Sequence, residues 1–503
     1  MERLPDSERL AILRKAAEDS IITPLKERGW SVDCTGMSMG FPSLKIVARN
    51  GACLVRIAVL EGAFSDRDYL EMSKKADYIF FRGNRYEQNP LQSEEGVPVG
   101  SLDGFLSALV DLDEQVASAK PPKLFAQRPK TIKHLTAENP LEAVFARLQQ
   151  FTSVNIAARL VKRRSEAVGV TLSREEITSK ATGVAYSMRS ALDYVNGLSA
   201  DRLNRRVLGL YYSVMAFAQA EMLAHPSGPV DLDTVEGMTK FGHGLYTFAI
   251  PNGGFAELGV GVLANGFFPK WAEFLGHDIS AYPKARAKNY EEFEILRPHV
   301  ACSLRDLFAS MPEIDDLFVE VFGGGPNWIS VQKDDSPPYH SNPFYPWIIA
   351  ESTYCKFFDR SETITKERLK AGEWPLASIR KIHDFGLKGN AFGARVDHNG
   401  QGEWLDLLPV HSSPFLKNMA LLFPTVGGLR EYRAIAAVTL YALSIMARYM
   451  PSAWQRIEGG DEDQYFALVS AALAVWERIL PEQFLESIAG EAVHTTQPGS
   501  RLS

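Results

Sequence analysis

Apolar residues recur at three- and four-residue steps through Leu203, Val207, Leu210, Tyr211, Val214, Phe217, Ala218 and Met222, while Arg202, Arg205, Arg206 and Ser213 fall largely elsewhere. That spacing predicts a helix over 201–225 with one face packed and the other turned to water or a ligand. Helices are predicted likewise over 140–164, 173–197, 232–241, 428–450 and 462–479. Ser413, a good N-cap, followed by Pro414 in the first turn, predicts one more core-facing helix. Two hairpins interrupt the helices: LYTFAI-PNGG-FAELGVGV near 245–262 and AFGARV-DHNGQG-EWLDLLPV near 391–410. Each centres on an Asn-Gly pair suited to positive φ.

The first 118 residues follow another rhythm. A helix over 4–28 stops at Gly29, and SLKIVA and CLVRIAVL read as strands around the turn Arg49-Asn50-Gly51. A helix then covers 66–75, DYIFF is a short buried strand, and a last helix covers 102–116. The order α-β-β-α-β-α makes a compact module over 1–118. SAKPPKLFAQRPKTIKH has three prolines, several bases and no periodicity, so 119–137 reads as a linker. Beyond it lie a helical subdomain over 138–330, a second over 331–490 containing a hairpin, and a flexible tail over 491–503. GGGP at 323–326 and SPPYHSNPFYP at 336–346 mark the junction. The fold class is α+β, a small N-terminal α/β module followed by a large, mainly α-helical region.

At 503 residues the chain exceeds what one hydrophobic core can hold. Its net charge of −7 excludes a general polycation, so any contact with RNA or DNA has to be local. Cys34, Cys53, Cys302 and Cys355 form no C-x-x-C pair and no dense disulfide pattern, which fits a reducing compartment. MERLPDSERLAILRKAAEDS mixes acids and bases and lacks the apolar run of a signal peptide. The longest uncharged helical run, between Arg433 and Arg448, falls short of the ~20 apolar residues that span a bilayer. It reads as a buried helix, so the protein is expected in the cytoplasm and away from membranes. Arg448, at the end of that run, then needs a buried acceptor, expected as a structural ion pair.

The stretches NIAARLVKRRSE at 155–166, KATGVAYSMRSALDY at 180–194, RRVLGLYYSVMAFAQAEMLA at 205–224, TKFGHGLY at 239–246 and LSIMARYMPSAW at 443–454 resemble, in this order, the bacterial YaaC-like family. The resemblance spans roughly 140–490 and brings no catalytic residues with it. A wider resemblance is to HEPN helical domains of prokaryotic toxins and defence proteins, where a helix bearing a tyrosine pair precedes a short histidine-containing segment. Tyr211, Tyr212 and His243 occupy that arrangement. Active members pair an arginine with a histidine four to six residues later. His243 has no arginine at that spacing, and Arg128 to His134, which does fit, lies in the proline-containing linker where no rigid helix would hold the two together.

The N-terminal module is similar in rhythm to restriction-endonuclease-like folds, which hold Mg²⁺ with an acid ending one strand and an acid-x-lysine triplet on the next. Those positions fall here at Ser43 and at Arg56-Ile57-Ala58, so the charges are absent. Such a module would be degenerate; a plain αβ module is the alternative. Glu61, Asp66 and Asp68 nearby fit a solvated turn and a helix N-terminus.

Two groups of residues could carry chemistry. Lys162, Arg163, Arg164, Arg189, Arg202, Arg205 and Arg206 would form one phosphate-binding face if their helices pack as neighbours; the plainer alternative is a solvated face paired with Glu166, Glu175, Glu176 and Asp201. His243, between Gly242 and Gly244 and close to Lys240, could act as acid or base with Lys240 beside a phosphate, or could serve as a structural hydrogen-bonding group. His383 and His398 each follow an arginine by three residues, and His398 in its hairpin turn is expected to be exposed. P-loop, dinucleotide, H-E-x-x-H, zinc-type and G-x-S-x-G signatures are absent, so no metal and no cofactor is expected.

Three functional readings follow. The first is a nucleic-acid-associated or regulatory protein of bacterial stress response or defence, contacting RNA or DNA through the arginine face. The second is a HEPN-like RNA- or nucleotide-processing enzyme using His243 and Lys240. The third is a homodimeric interaction scaffold built on the long helices.

Overall fold

Strands Pro42–Asn50 and Cys53–Glu61 pair antiparallel from Ser43↔Leu60 to Asn50↔Cys53, and Gly51 takes a left-handed φ of +58° where they connect. This hairpin, foreseen from its Asn-Gly signal, belongs to a computed structural model of the chain. It describes residues 5–38, 42–51, 53–61, 72, 76–82, 97–118, 131–251, 253–297, 299–334, 352–359, 364–382, 390–398, 403–496 and 498. The fold is α+β. The chain divides into two units, one made of 1–125 with 330–408 and the other of 126–329 with 409–503.

In the first unit the hairpin is the middle of a five-stranded sheet. Ser31–Ser38 lies on one side, and Tyr78–Arg82 and then Val99–Ser101 join in parallel on the other. The Ser31–Ser38 strand escapes the sequence reading because SVDCTGMS offers no clear alternation of large apolar residues. The predicted 4–28 helix is present as Asp6–Ala17 and Thr23–Glu27 joined by a π-turn, Glu18–Ile22. Leu13, Ile21 and Leu25 from this segment share a core with Leu44, Ile46, Ile57 and Phe105. The predicted 66–75 helix lies outside the described residues except for Met72.

The 331–408 segment was expected in a second helical subdomain, yet it belongs with the N-terminal module. Its strands run Leu376–Ile382, Asn390–Asp397 and Ser352–Asp359, each antiparallel to the next. An ionic cluster accounts for the grouping. Arg395, 1% exposed, bonds Asp397 at 2.7 Å and also Asp77, while Arg56 lies 2.8 Å from Asp397 and its backbone N–H donates to Asp77 at 2.8 Å. Removing such charges from water is favourable only when each meets its counter-charge, so the two sequence segments fold together. The predicted 391–410 hairpin does not form. Asn390–Asp397 pairs on both sides with other strands, and the chain beyond the undescribed 399–402 makes a 3₁₀ turn, Trp404–Asp406, with Trp404 buried. His398, expected exposed, is 9% exposed and lies 3.3 Å from the Thr353 hydroxyl. His383 and 336–346 lie outside the described residues.

The second unit is built around the Leu203–Ala224 helix, which packs against Arg174–Val195, Tyr432–Tyr449 and Asp463–Ala489. Ser173 and Glu176 form a full capping box, which is why the Arg174–Val195 helix starts where the sequence places it. The predicted 140–164 helix is two, Pro140–Gln150 and Val154–Ala167, with Ser153 at the second N-cap. The last helix runs to Ala489, ten residues beyond the expected end at 479. Pro481 removes one N–H, but Phe484, Leu485 and Ile488 keep the apolar face buried.

Leu203–Ala224 is the one described single helix long and apolar enough to cross a membrane, and 78% of its apolar window is buried inside the fold; Tyr432–Tyr449 passes that test only jointly with Pro451–Gly459, across a bend of 103°. The predicted burial of the run after Arg433 holds, since Ala434 to Ser444 are all buried.

The remaining corrections concern β-structure. Leu245–Phe248 pairs with Gly259–Val262 as the first hairpin predicts, although the connection is longer than a two-residue turn. Ser413 starts no helix; Met419–Leu422 instead pairs with Val410–His411, because the apolar run ALLF, ended by Phe423-Pro424, is too short for helical turns to bury. The C-terminal tail is partly ordered. Ala492–Thr496 pairs in parallel with Ile132–Thr136, from the end of the predicted linker.

Candidate functional site

His243 sits on a strap whose backbone is fixed from below. Gly242 and Gly244 have φ of +89° and +78°, and the N–H groups of Phe267 and Phe268, which open the Phe267–Phe274 helix, donate to Gly242 O at 3.1 Å and His243 O at 2.9 Å. A Cβ on Gly244 would lie 2.3 Å from Pro269 Cδ, so close approach and positive φ both require glycine there. The glycine-flanked motif therefore holds the imidazole rigidly, with an exposed edge.

The ring is seated among tyrosines. Tyr211 and Tyr212 project from the Leu203–Ala224 helix, and the fully buried Tyr211 hydroxyl lies 2.9 Å from His243 Nδ1. Tyr441, from the Tyr432–Tyr449 helix, lies 5.9 Å ring to ring from both Tyr211 and His243, and its hydroxyl donates to Leu245 O at 2.9 Å. Tyr194 stacks on Tyr212 at 5.4 Å. Burial raises the Tyr211 hydroxyl far above the ordinary tyrosine range, so it remains a neutral group that can donate to or accept from Nδ1.

Arg448 completes the cluster. Its Nε donates to Ser444 O at 3.1 Å, its Nη2 to Ser444 Oγ at 3.4 Å and its Nη1 to the Tyr212 hydroxyl at 3.3 Å. The expected structural ion pair is not what satisfies it: among the described residues its hydrogen-bond acceptors are Ser444 and Tyr212, all neutral, and no ion pair to a carboxylate is formed. Its positive charge therefore stays available. Desolvation first, and then the Arg448 charge, lower the His243 pKa below the ordinary 6.5. Arg286, on an exposed loop, lies near enough to act electrostatically on Tyr441. Neither Arg448 nor Arg286 was singled out as a site residue from the sequence, since nothing in local spacing links them to His243. The available clue was an arginine ending an apolar helix with no acid in reach.

The other expected site residues lie elsewhere or have partners. Lys240 is exposed at the end of the Leu232–Thr239 helix, with no hydrogen bond or ion pair to His243. Lys162 pairs with Glu166 at 3.8 Å, Arg163 with Glu491 at 3.6 Å, Arg205 with Asp201 at 3.5 Å and Arg206 with both oxygens of Glu477 at 2.9 and 3.0 Å. Arg164 donates to Ser487 O and Ile488 O at the carboxyl end of the last helix, and burial lowers its pKa to about 10. Arg189 binds Thr152 O through two nitrogens, and Arg202 is an exposed N-cap residue. Apart from Arg202, these cations are engaged one by one with acids or carbonyls: Arg163, Arg164 and Arg206 reach the last helix or the residues just after it, whereas Lys162 and Arg205 pair with acids four residues away in their own stretch of chain.

The nuclease-like positions of the first unit are structural as well. Ser43 is fully buried within its strand, Arg56 belongs to the ionic cluster, and Glu61 pairs with Arg9 at 3.0 Å. No group of three or more His, Cys, Asp and Glu among the described residues is arranged to hold a metal ion.

No curated protein and no solved structure matches the chain. The family model described as YaaC-like Protein matches residues 149–488, more than half of the chain and nearly all of the region that carries the tyrosines, His243 and Arg448. The chain belongs to the YaaC-like family.

Proposed function

We propose that this chain is an RNA- or nucleotide-processing protein of the bacterial cytoplasm, with Tyr211, His243 and Arg448 as its site. One observation carries the reading: a guanidinium whose acceptors among the described residues are all neutral is linked through Tyr212 and Tyr211 to an imidazole that has an exposed edge, and its charge acts on that ring. Arg448 supplies the charge that binds a phosphate, and His243 supplies the proton acceptor. Burial first, and then the Arg448 charge, hold the His243 pKa below the ordinary value and so favour the neutral imidazole that can act as a base. Tyr211 follows it, donating to Nδ1 when that nitrogen is bare and accepting when it carries the proton.

A non-catalytic nucleic-acid-associated protein of stress response or defence would use the same arginine and leave His243 as a binding group. The test is RNA binding across salt concentrations together with turnover of RNA and of nucleotides. Salt-sensitive binding with turnover lost in His243→Ala, folding retained, supports the enzyme. Binding without turnover supports the second reading, and no binding in low salt removes both.

A further inference from the structure

Two exposed tyrosines lie at the ends of a run of side-chain contacts that passes through Arg448. Tyr194, on the Arg174–Val195 helix, is 45% exposed and stacks on Tyr212, the tyrosine that accepts from Arg448. Tyr449, the last residue of the Tyr432–Tyr449 helix, is 68% exposed, and the Arg448 guanidinium stands 5.1 Å from its ring centre. The sequence Tyr194, Tyr212, Arg448, Tyr449 is therefore one continuous run of contacts, drawn from three helices, with a cation in the middle and an open ring at each end. Single exposed aromatics are common on protein surfaces. Two open rings joined through a guanidinium that meets no carboxylate among the described residues match what an unpaired nucleotide chain presents, flat bases separated by a phosphate. A duplex hides its base faces in its own stack, and a free phosphate has no use for the rings.

We infer that the ligand of this site is a single-stranded nucleic acid, with unpaired bases stacked on Tyr194 and Tyr449 and the phosphate between them on Arg448. The inference rests on the reading of Arg448 as the phosphate-binding group and adds the strandedness of the ligand and the two residues that select it. Arg286 adds positive charge near Tyr441.

The experiment measures anisotropy of a short labelled single-stranded oligoribonucleotide, with the matching duplex as competitor, and calorimetric binding of inorganic tripolyphosphate. The proteins are wild type, Tyr194→Ala, Tyr194→Phe, Tyr449→Ala and Arg448→Gln. Each alanine variant is expected to weaken single-strand binding about tenfold or more, with Tyr194→Phe close to wild type and tripolyphosphate binding unchanged in all three tyrosine variants. The duplex should compete poorly. If the duplex competes as well as the single strand, or the alanine variants bind like wild type while Arg448→Gln does not, the stacking inference is overturned and the phosphate site stands. If neither probe binds the wild-type protein, the phosphate site falls as well.

Discussion

Glu221 should be the most sensitive charged residue of the second unit. It lies in the Leu203–Ala224 helix, is 1% exposed, and accepts from Arg433 Nη1 at 2.9 Å, from the Trp271 indole at 3.0 Å and from the Ser487 hydroxyl. Its three donors come from three other helices, so one carboxylate holds together the elements around which the site is built. Glu221→Ala would leave Arg433 buried with Glu431 alone, and breaking a buried pair by removing one partner costs about 3–5 kcal/mol. At about 2 °C per kcal/mol for a unit of this size, its melting temperature should fall by roughly 6–10 °C. Glu221→Gln keeps the shape but turns an amide donor toward a guanidinium and should lie in between. Glu477→Ala, which removes the partner of the less buried Arg206, is the control, at about 1–2 kcal/mol. Calorimetry gives the transitions, and hydrogen exchange within 203–224 assigns the change to this unit. Glu221→Ala melting no lower than Glu477→Ala would show that the carboxylate does not organise these helices.

Other expectations are as direct. Lys180, 1% exposed, donates to His225 O, Gly228 O and Pro229 O at 3.0, 3.0 and 2.7 Å, and burial lowers its pKa to about 8 from 10.5. Between those values the unfolded chain holds more protons than the folded one, so Lys180 makes stability rise with pH from about 8 to 10.5. Lys180→Met should abolish that rise in pH-dependent melting curves. The His243 imidazole should titrate below 6.5 by NMR and move upward in Arg448→Gln, and an unmoved titration would refute the electrostatic link. Gly244→Ala should lower the melting temperature and separate His243 from Tyr211, seen as a changed His243 titration; wild-type behaviour in both would show that the strap tolerates a side chain.

The long helices were legible because their apolar faces repeat every three to four residues; the caps that start them at Ser173, Asp231 and Asn139 were not used in that reading. The tyrosine pair and His243 were legible as a motif. What stayed hidden depends on partners distant in sequence. Arg448 reaches Tyr212 across 236 positions, Ile132–Thr136 finds its pairing strand with Thr136 and Thr496 360 positions apart, and Arg395 joins Asp77 across 318. Periodicity reports which face of an element is buried and is silent about what buries it. The acids that pair with Arg163 and Arg206, Glu491 and Glu477, likewise come from the far end of the chain.

The most direct test compares Arg448→Gln with Arg206→Gln for binding of a labelled single-stranded oligoribonucleotide at low salt. A phosphate held by Arg448 predicts a loss of about 10- to 100-fold in the first variant and little change in the second, whose guanidinium is occupied by Glu477. Undiminished affinity in Arg448→Gln, with binding lost in Arg206→Gln, would contradict the account and return the contact surface to the paired arginines.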